Sequence, residues 1–344
     1  MKKIVSLALA LAMILSLVAC GGGKTSTAAS ANPGTSSAAP ADEHYVIKMG
    51  QADTQDSLLG TAFEAFKEYV ETNTNGKVEV QLFHNAVMGG ESEMLSSVQM
   101  GTLDICSGEA AVLSQFGDQF GVINIPFLFR SEDELHQVWE NGLEEYYNKE
   151  LASQKLEVRG MATLGGRGLS NSKRDVHTPD DMKGLKIRVM ESPLFIDTFT
   201  AMGANPTPMS FSEVYTGLQQ GTIDGQDNPA NITVSVKFYE VQPYYTFLGH
   251  TYCNSLTYMR AGYLDKFPED IAAVIADGLE MLEHKTWEDT AAAEEAAYDT
   301  MIKAGVSITR LTDEEYEMFK ASVADVADKY RAAMGEEVFQ IIGK

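Results

Sequence analysis

The chain has 344 residues, with 49 Asp and Glu against 26 Lys and Arg, and a formal net charge of −23 at pH 7. So acidic a surface repels phosphate backbones and excludes nucleic acid as a natural partner. Its 3 cysteines and 6 histidines show no CxxC, HExxH or HxxxH spacing, and there is no P-loop, GxSxG elbow or complete GxGxxG, so no metal or nucleotide cofactor is expected.

Lys2 and Lys3 precede an apolar run from Ile4 to Val18, and Leu17-Val18-Ala19-Cys20 has the form of a lipobox. About 15 apolar residues fall short of the roughly 20 that span a bilayer, so residues 1–19 read as a signal peptide. Residues 20–42 are mostly Gly, Ser, Thr, Ala and Pro beyond the cysteine and read as a flexible tether.

The remaining residues, about 300, exceed what one core usually serves, so two lobes are expected. The first begins with a strand at Tyr45–Gly50, a helix at Leu58–Val70, a strand at Lys77–Phe83, a helix from Glu91 and a strand at Leu103–Cys106. That βαβα order gives a mainly parallel sheet flanked by helices. Gly121–Phe129 is apolar but for Asn124 and reads as core and cleft wall, and Ser131-x-x-Glu134 caps the helix after it. Glu93–Asp104 resembles Glu213–Asp224, with Glu, Gln, Gly, Thr and Asp at matching places. Two lobes of one architecture facing each other across a cleft would explain this.

Lys155 to Arg188 holds eight Lys or Arg against four Asp or Glu, a local excess of positive charge suited to an anion site. Gly165-Gly166-Arg167-Gly168 reads as a loop crossing between lobes. From Lys186 to Met190 the residues alternate, placing Ile187 and Val189 on one side and Arg188 on the other. Glu191-Ser192-Pro193 stops this strand, so Arg188 falls near its carboxyl end, where open α/β sheets form ligand crevices. Its guanidinium fork can make two parallel bonds to a carboxylate, which lysine cannot reproduce. A helix from Pro193 to Met202 and a strand at Pro206–Met209 follow. Ser210-x-x-Glu213 reads as a capping box for a helix ending at Gly221. Thr222–Asp224 reads as a strand, leaving Gln226, Asp227 and Asn228 on the loop beyond. Pro268–Ala304 is helical in spacing; about 37 residues at 1.5 Å each span about 55 Å, enough to brace both lobes. Thr312-x-x-Glu315 caps the next helix. Cys106 and Cys253 could form a disulfide outside the cell, but read rather as two buried thiols.

Four segments, Lys183–Val189, Gly203–Met209, Phe211–Tyr215 and Asp224–Pro229, resemble in order and spacing the signature of the DctP-type substrate-binding proteins of tripartite ATP-independent periplasmic (TRAP) transporters. The resemblance implies a two-lobed α/β fold of periplasmic-binding-protein type, with mainly parallel sheets flanked by helices, a cleft between lobes and a long helix across both. Residues 43–165 with 254–293 would form the first lobe, and 166–253 with 294–344 the second. It implies that Arg188 clamps a ligand carboxylate, helped by Arg167 and Asn228, that Phe211 packs on the ligand, and that Glu91, Glu109 and His250 lie close to the pocket. A pocket asparagine of some sialic-acid-binding members falls on Ala52, which argues against that ligand. The mature chain would start at a lipidated Cys20 and work extracytoplasmically as a monomer. It would pass a small organic acid, a sugar acid or C4-dicarboxylate, to a two-component permease without nucleotide or catalysis. The rival readings are a sensor-kinase receptor using the same pocket and a carbohydrate-active lipoprotein enzyme using Glu91 and Glu109 as a carboxylate pair.

Overall fold

The computed structural model describes residues 44–344; the expected signal peptide, Cys20 and the tether lie outside the described residues. The first half is built from β1 (Tyr45–Gly50), α1 (Leu58–Asn73), β2 (Val78–Phe83), α2 (Glu91–Met100) and β3 (Ile105–Glu109), with β1 between β2 and β3 and parallel to both. α1 forms here because Leu59, Ala62, Phe63, Phe66 and Val70 recur at three- and four-residue spacing on its buried face. The Ser57 hydroxyl starts it by accepting the Gly60 amide at 3.0 Å. α3 (Glu132–Val138), capped by Ser131 as expected, and α4 (Glu144–Leu151) lead into β4 (Leu156–Asn171).

A second set repeats the first: β5 (Lys186–Val189), α5 (Pro193–Ala201), β6 (Asn205–Pro208), α6 (Val214–Gln220) and β7 (Gly225–Asn228), with β5 between β6 and β7 and parallel to both. Then come α7 (Ala230–Ser235), β8 (Tyr244–Arg260), α8 (Glu269–Lys303), β9 (Ser307–Arg310), α9 (Asp313–Ser322), α10 (Ala324–Met334) and α11 (Glu336–Ile341). The sheet runs β2-β1-β3-β8-β4-β7-β5-β6, with β9 on β8. From either edge the pattern is the same: three parallel strands, then a long antiparallel one. β4 and β8 pair with each other and run through both halves.

The likeness of Glu93–Asp104 to Glu213–Asp224 is a likeness of structure. Each helix ends on a left-handed glycine, Gly101 at φ 81° and Gly221 at φ 68°. The next threonine turns its hydroxyl back on the helix, Thr102 to Ser97 O at 3.2 Å and Thr222 to Gly217 O at 3.1 Å. The aspartate then accepts a backbone amide from the half's central strand, Asp104 from Lys48 at 2.9 Å and Asp224 from Lys186 at 3.0 Å. These turns delay both strands. They begin at Ile105 and Gly225 rather than Leu103 and Thr222, and Gln226, Asp227 and Asn228 therefore lie within β7, not on a loop.

Two other expectations are corrected. Gly165–Gly168 is part of β4 rather than a crossing loop, because β8 pairs with it on both sides of two register breaks, the first of them at Gly165, whose φ is 102°. Ser210 forms no capping box: its backbone carbonyl accepts the Glu213 amide in a 3₁₀ turn at 3.1 Å, and its hydroxyl faces Ser212. Residues 324–344 touch both halves: Val326, Tyr330, Met334, Val338 and Phe339 share a core cluster with Leu113, Trp139, Tyr147 and Leu194, and Lys329 and Tyr330 bond Asp197 of α5. Their apolar faces find cover there.

α8 braces the assembly as one 35-residue helix. Gly278 lets it close on Phe66 and Val70 of α1, where a Cβ would sit 3.1 Å from both. Farther along, Trp287 Nε1 donates to Met161 O at 2.9 Å and the Thr290 hydroxyl to Thr163 O at 3.1 Å, tying α8 to β4. Its last turns cover Tyr245 of β8 with Tyr298 and Met301. Cys106 and Cys253 are buried free thiols. No described helix is long and apolar enough to cross a membrane.

Candidate ligand-binding site

The parallel strands of both halves end at one place. Asp53 lies three residues beyond β1, Glu109 ends β3, Arg188 is the penultimate residue of β5, and Asn228 ends β7. All four line one pocket, together with Glu91 at the start of α2, Phe211 in the turn before α6, and Arg167 from β4. Carboxyl strand ends gather ligands in open α/β sheets because the chain leaves the sheet there and loops and helix N-termini surround the opening. The inner pocket leaves only ≈ 30 Å³ to a water-sized sphere, room for about two waters. It shares Glu91, Arg188, Met190 and Phe211 with a wider cleft of ≈ 500 Å³. A carboxylate group fits the inner part, and the rest of a ligand would extend into the cleft. The two halves meet at the cleft's rim, where a Cβ on Gly90 would lie 2.9 Å from the Ser210 hydroxyl.

The two arginines differ in what they face. Arg167, 1 % exposed, is ion-paired to Glu109 through Nη2 and to Asp227 through Nη1 at 3.2 Å, and Nη1 also donates to the Asp227 carbonyl at 2.9 Å. Burial would lower its pKa, but neighbouring Cys253, Glu109 and Asp227 more than offset this and hold it above the usual range. Arg188, 4 % exposed, donates from Nε to Met209 O at 2.9 Å and has no ion-pair partner among the described residues. Burial, and then the charge of Arg167, lower its pKa to about 10, so it remains a cation at neutral pH. Its guanidinium carbon lies 5.9 Å from the centre of the Phe211 ring. Arg188 is therefore a desolvated cation without an ion pair among the described residues, held by one hydrogen bond in a cleft.

The acids divide in the same way. Glu109 is occupied: besides Arg167 it accepts from the Asn254 amide at 3.3 Å and Asn124 Nδ2 at 3.4 Å. It is buried, not a surface acid. Glu91 has no ion-pair partner among the described residues, and burial, then Glu109 and Asp53, push its carboxyl up to about 8 against the pull of Arg188. Asp53, 8 % exposed, is raised by burial to about 6, with Glu109 adding to the shift and its own backbone amide opposing it. With Glu109 held by Arg167, Glu91 and Glu109 do not stand as a free carboxylate pair. Asn228 Nδ2 donates to Gln226 Oε1 at 2.5 Å, which fixes the amide beside the pocket.

His250 does not line the pocket. It is buried behind Asp227, its Nε2 3.7 Å from Asp227 Oδ1, with Phe199 against its ring. Burial lowers its pKa, so the pair is not an ion pair at neutral pH. Asp53 escaped the sequence reading, although the strand-end rule that picked out Arg188 applies equally to the segment after Gly50. Among the described residues no group of side chains could hold a metal ion.

Comparison with known proteins agrees with this geometry. The profile of the bacterial extracellular solute-binding proteins, family 7 (DctP), matches residues 49–333. The C4-dicarboxylate-binding periplasmic protein DctP of Rhodobacter capsulatus is 30 % identical over 87 % of this chain and 90 % of its own. The 2,3-diketo-L-gulonate-binding periplasmic protein of Escherichia coli is 29 % identical over 81 % of this chain and 84 % of its own. The crystal structure of the sugar acid binding protein of Advenella mimigardefordensis in complex with galactonate superposes with a TM-score of 0.83 at 28 % identity, covering 88 % of this chain and 97 % of that one. With a two-lobed sheet, strand ends converging on an interlobe pocket and a match over most of its length, the chain belongs to the DctP family of extracellular solute-binding proteins, the receptors of TRAP transporters, which bind rather than transform their ligands.

Proposed function

We propose that this protein is a lipid-anchored receptor that captures a small organic acid outside the cytoplasm and delivers it to a TRAP permease in the membrane. The observation that carries the reading is Arg188, a buried guanidinium at a strand end with no ion-pair partner among the described residues. A ligand carboxylate supplies the missing counter-charge, with Asn228 beside it and Phe211 packed on the ligand's body. Arg167 acts chiefly by pairing with Glu109 and Asp227, which reduces their repulsion of the incoming anion. The sugar acid and dicarboxylate ligands named for the relatives make a sugar acid or C4-dicarboxylate the expected class. The lipobox at Cys20 supports the anchor, and the 20–42 segment supports a tether.

A ligand favours a closed form only through contacts that the open form lacks. Glu91 from the first half and Arg188 and Phe211 from the second share one pocket, so a bound acid touches both. The lobes are taken as 43–165 with 254–293 and 166–253 with 294–344, the last residues touching both. The chain would pass between them in β4, β8 and α8, which would bend on closure. A thermal-shift screen of sugar acids and dicarboxylates tests the reading, since a ligand at 100 times its Kd stabilises by about 2.7 kcal/mol. No shift with any acid, or an equal shift in Arg188→Ala, would sink it.

A further inference from the structure

The pocket also limits what the far end of a bound acid can be, an inference that rests on the acid-binding reading above. Two cations line the inner pocket, Arg167 and Arg188. Arg167 is already balanced by Glu109 and Asp227, and Arg188 is the one left for a ligand carboxylate. Asp53 and Glu91 line the same pocket, neither with an ion-pair partner among the described residues; Glu91, pushed up to about 8, is mostly protonated at pH 7.5, which leaves Asp53 as the charged acid. The buried Asp53 carboxylate accepts from its own backbone amide. Behind it Ser57, Asn231 and Ser235 line a small recess that offers no cation. Once the first carboxylate of a ligand occupies Arg188, any second one lies against this acidic wall without a counter-charge. A hydroxyl in the same place donates to it. We infer that Asp53 is a specificity-determining residue that admits hydroxylated monocarboxylates and rejects dicarboxylates.

The chemistry separates cleanly in matched pairs of acids that differ only in whether the terminal carbon is a hydroxymethyl or a carboxylate. Galactonate against galactarate and threonate against tartrate serve as probes, titrated calorimetrically at pH 7.5 into the mature chain. In the wild-type protein the monoacid of at least one pair binds, and more tightly than its diacid by about tenfold or more. Asp53→Asn, with Asp53→Ser as a second variant should the first fail to fold, brings the ratio to within about threefold by improving the diacid. Arg188→Ala weakens both members together. A wild-type diacid binding as tightly as its monoacid, or a ratio unmoved in folded Asp53 variants, overturns the acidic wall and leaves the carboxylate clamp standing. Failure of every probe to bind the wild-type chain overturns the acid-binding reading itself.

Discussion

Replacing Arg188 with alanine separates holding a ligand from holding the fold. Without ligand the guanidinium makes one hydrogen bond, to Met209 O at 2.9 Å, and one ring contact, with Phe211 at 5.9 Å. Those contribute about 1 kcal/mol and about 0.5–1 kcal/mol. Set against them is the desolvation of a cation with no ion pair, so the expected loss of stability is under about 1 kcal/mol, or at most about 3 °C in Tm. With ligand bound, the same change strands a buried carboxylate, at a cost of about 2–5 kcal/mol, a loss of affinity of about 30- to 4000-fold. Arg188→Lys keeps the charge but loses the fork, and falls between. Arg167→Ala does the opposite: it leaves Glu109 and Asp227 buried without their cation and lowers stability by about 3–5 kcal/mol. Calorimetry with the acid found by thermal shift, paired with melts of the unliganded variants, reads both quantities. Affinity in Arg188→Ala within about threefold of wild type, or a drop in its unliganded Tm as large as that of Arg167→Ala, refutes the division of labour between the arginines.

The pocket acids make stability depend on pH. The carboxyls of Glu91 and Asp53 rise in the folded chain from 4.5 to about 8 and from 3.8 to about 6, so the folded state holds protons that the unfolded state has released. Stability therefore falls as pH rises from about 4.5 to about 8, and Glu91→Gln flattens that slope in denaturant titrations at pH 5 and pH 8.5. At the cleft's rim, Gly90→Phe props the halves apart against Ser210, weakening ligand binding by calorimetry while leaving the unliganded Tm near wild type. In the repeated turns, Asp104→Ala and Asp224→Ala each lose a charge-assisted bond to a strand amide, at 2.9 Å and 3.0 Å. Each is expected to lower stability by about 1–3 kcal/mol in urea titrations, the two costs being similar because the geometry is.

Much of the architecture could be read from the sequence because its signals are local. Alternation at Lys186–Met190 predicts β5, hydrophobic spacing predicts the 35-residue α8, and the Glu93–Asp104 likeness points to two related halves. The misreadings fall where tertiary pairing overrides local signals. Gly165–Gly168 has the composition of a loop, yet β8 pairs across it and holds it in a bulged strand. Thr222 and Asp224 look like strand residues, but their side chains are engaged in closing a turn, so β7 starts later and carries Asn228 on its last position. Residues 324–344 pack both with Trp139 and Tyr147 and, through Lys329 and Tyr330, with Asp197 of α5, contacts that no local pattern encodes.

The site was legible as residue types but not as charge states. A motif supplies two arginines and two glutamates, and nothing in their spacing says which arginine is already balanced. That depends on Asp227, which β7 brings next to Arg167, and on Glu109, which β3 delivers from the other half. Pairing there makes Arg167, Glu109 and Asp227 one structural cluster, a net anion of two carboxylates and one guanidinium. Arg188 stands beside this cluster, desolvated and without an ion-pair partner among the described residues. In a chain of net charge −23 the long-range field repels an organic anion, so capture has to depend on a short-range imbalance. On the proposed reading, one buried cation without an ion pair among the described residues supplies it, and the Asp53 carboxylate lining the same pocket keeps that attraction from extending to a second negative charge.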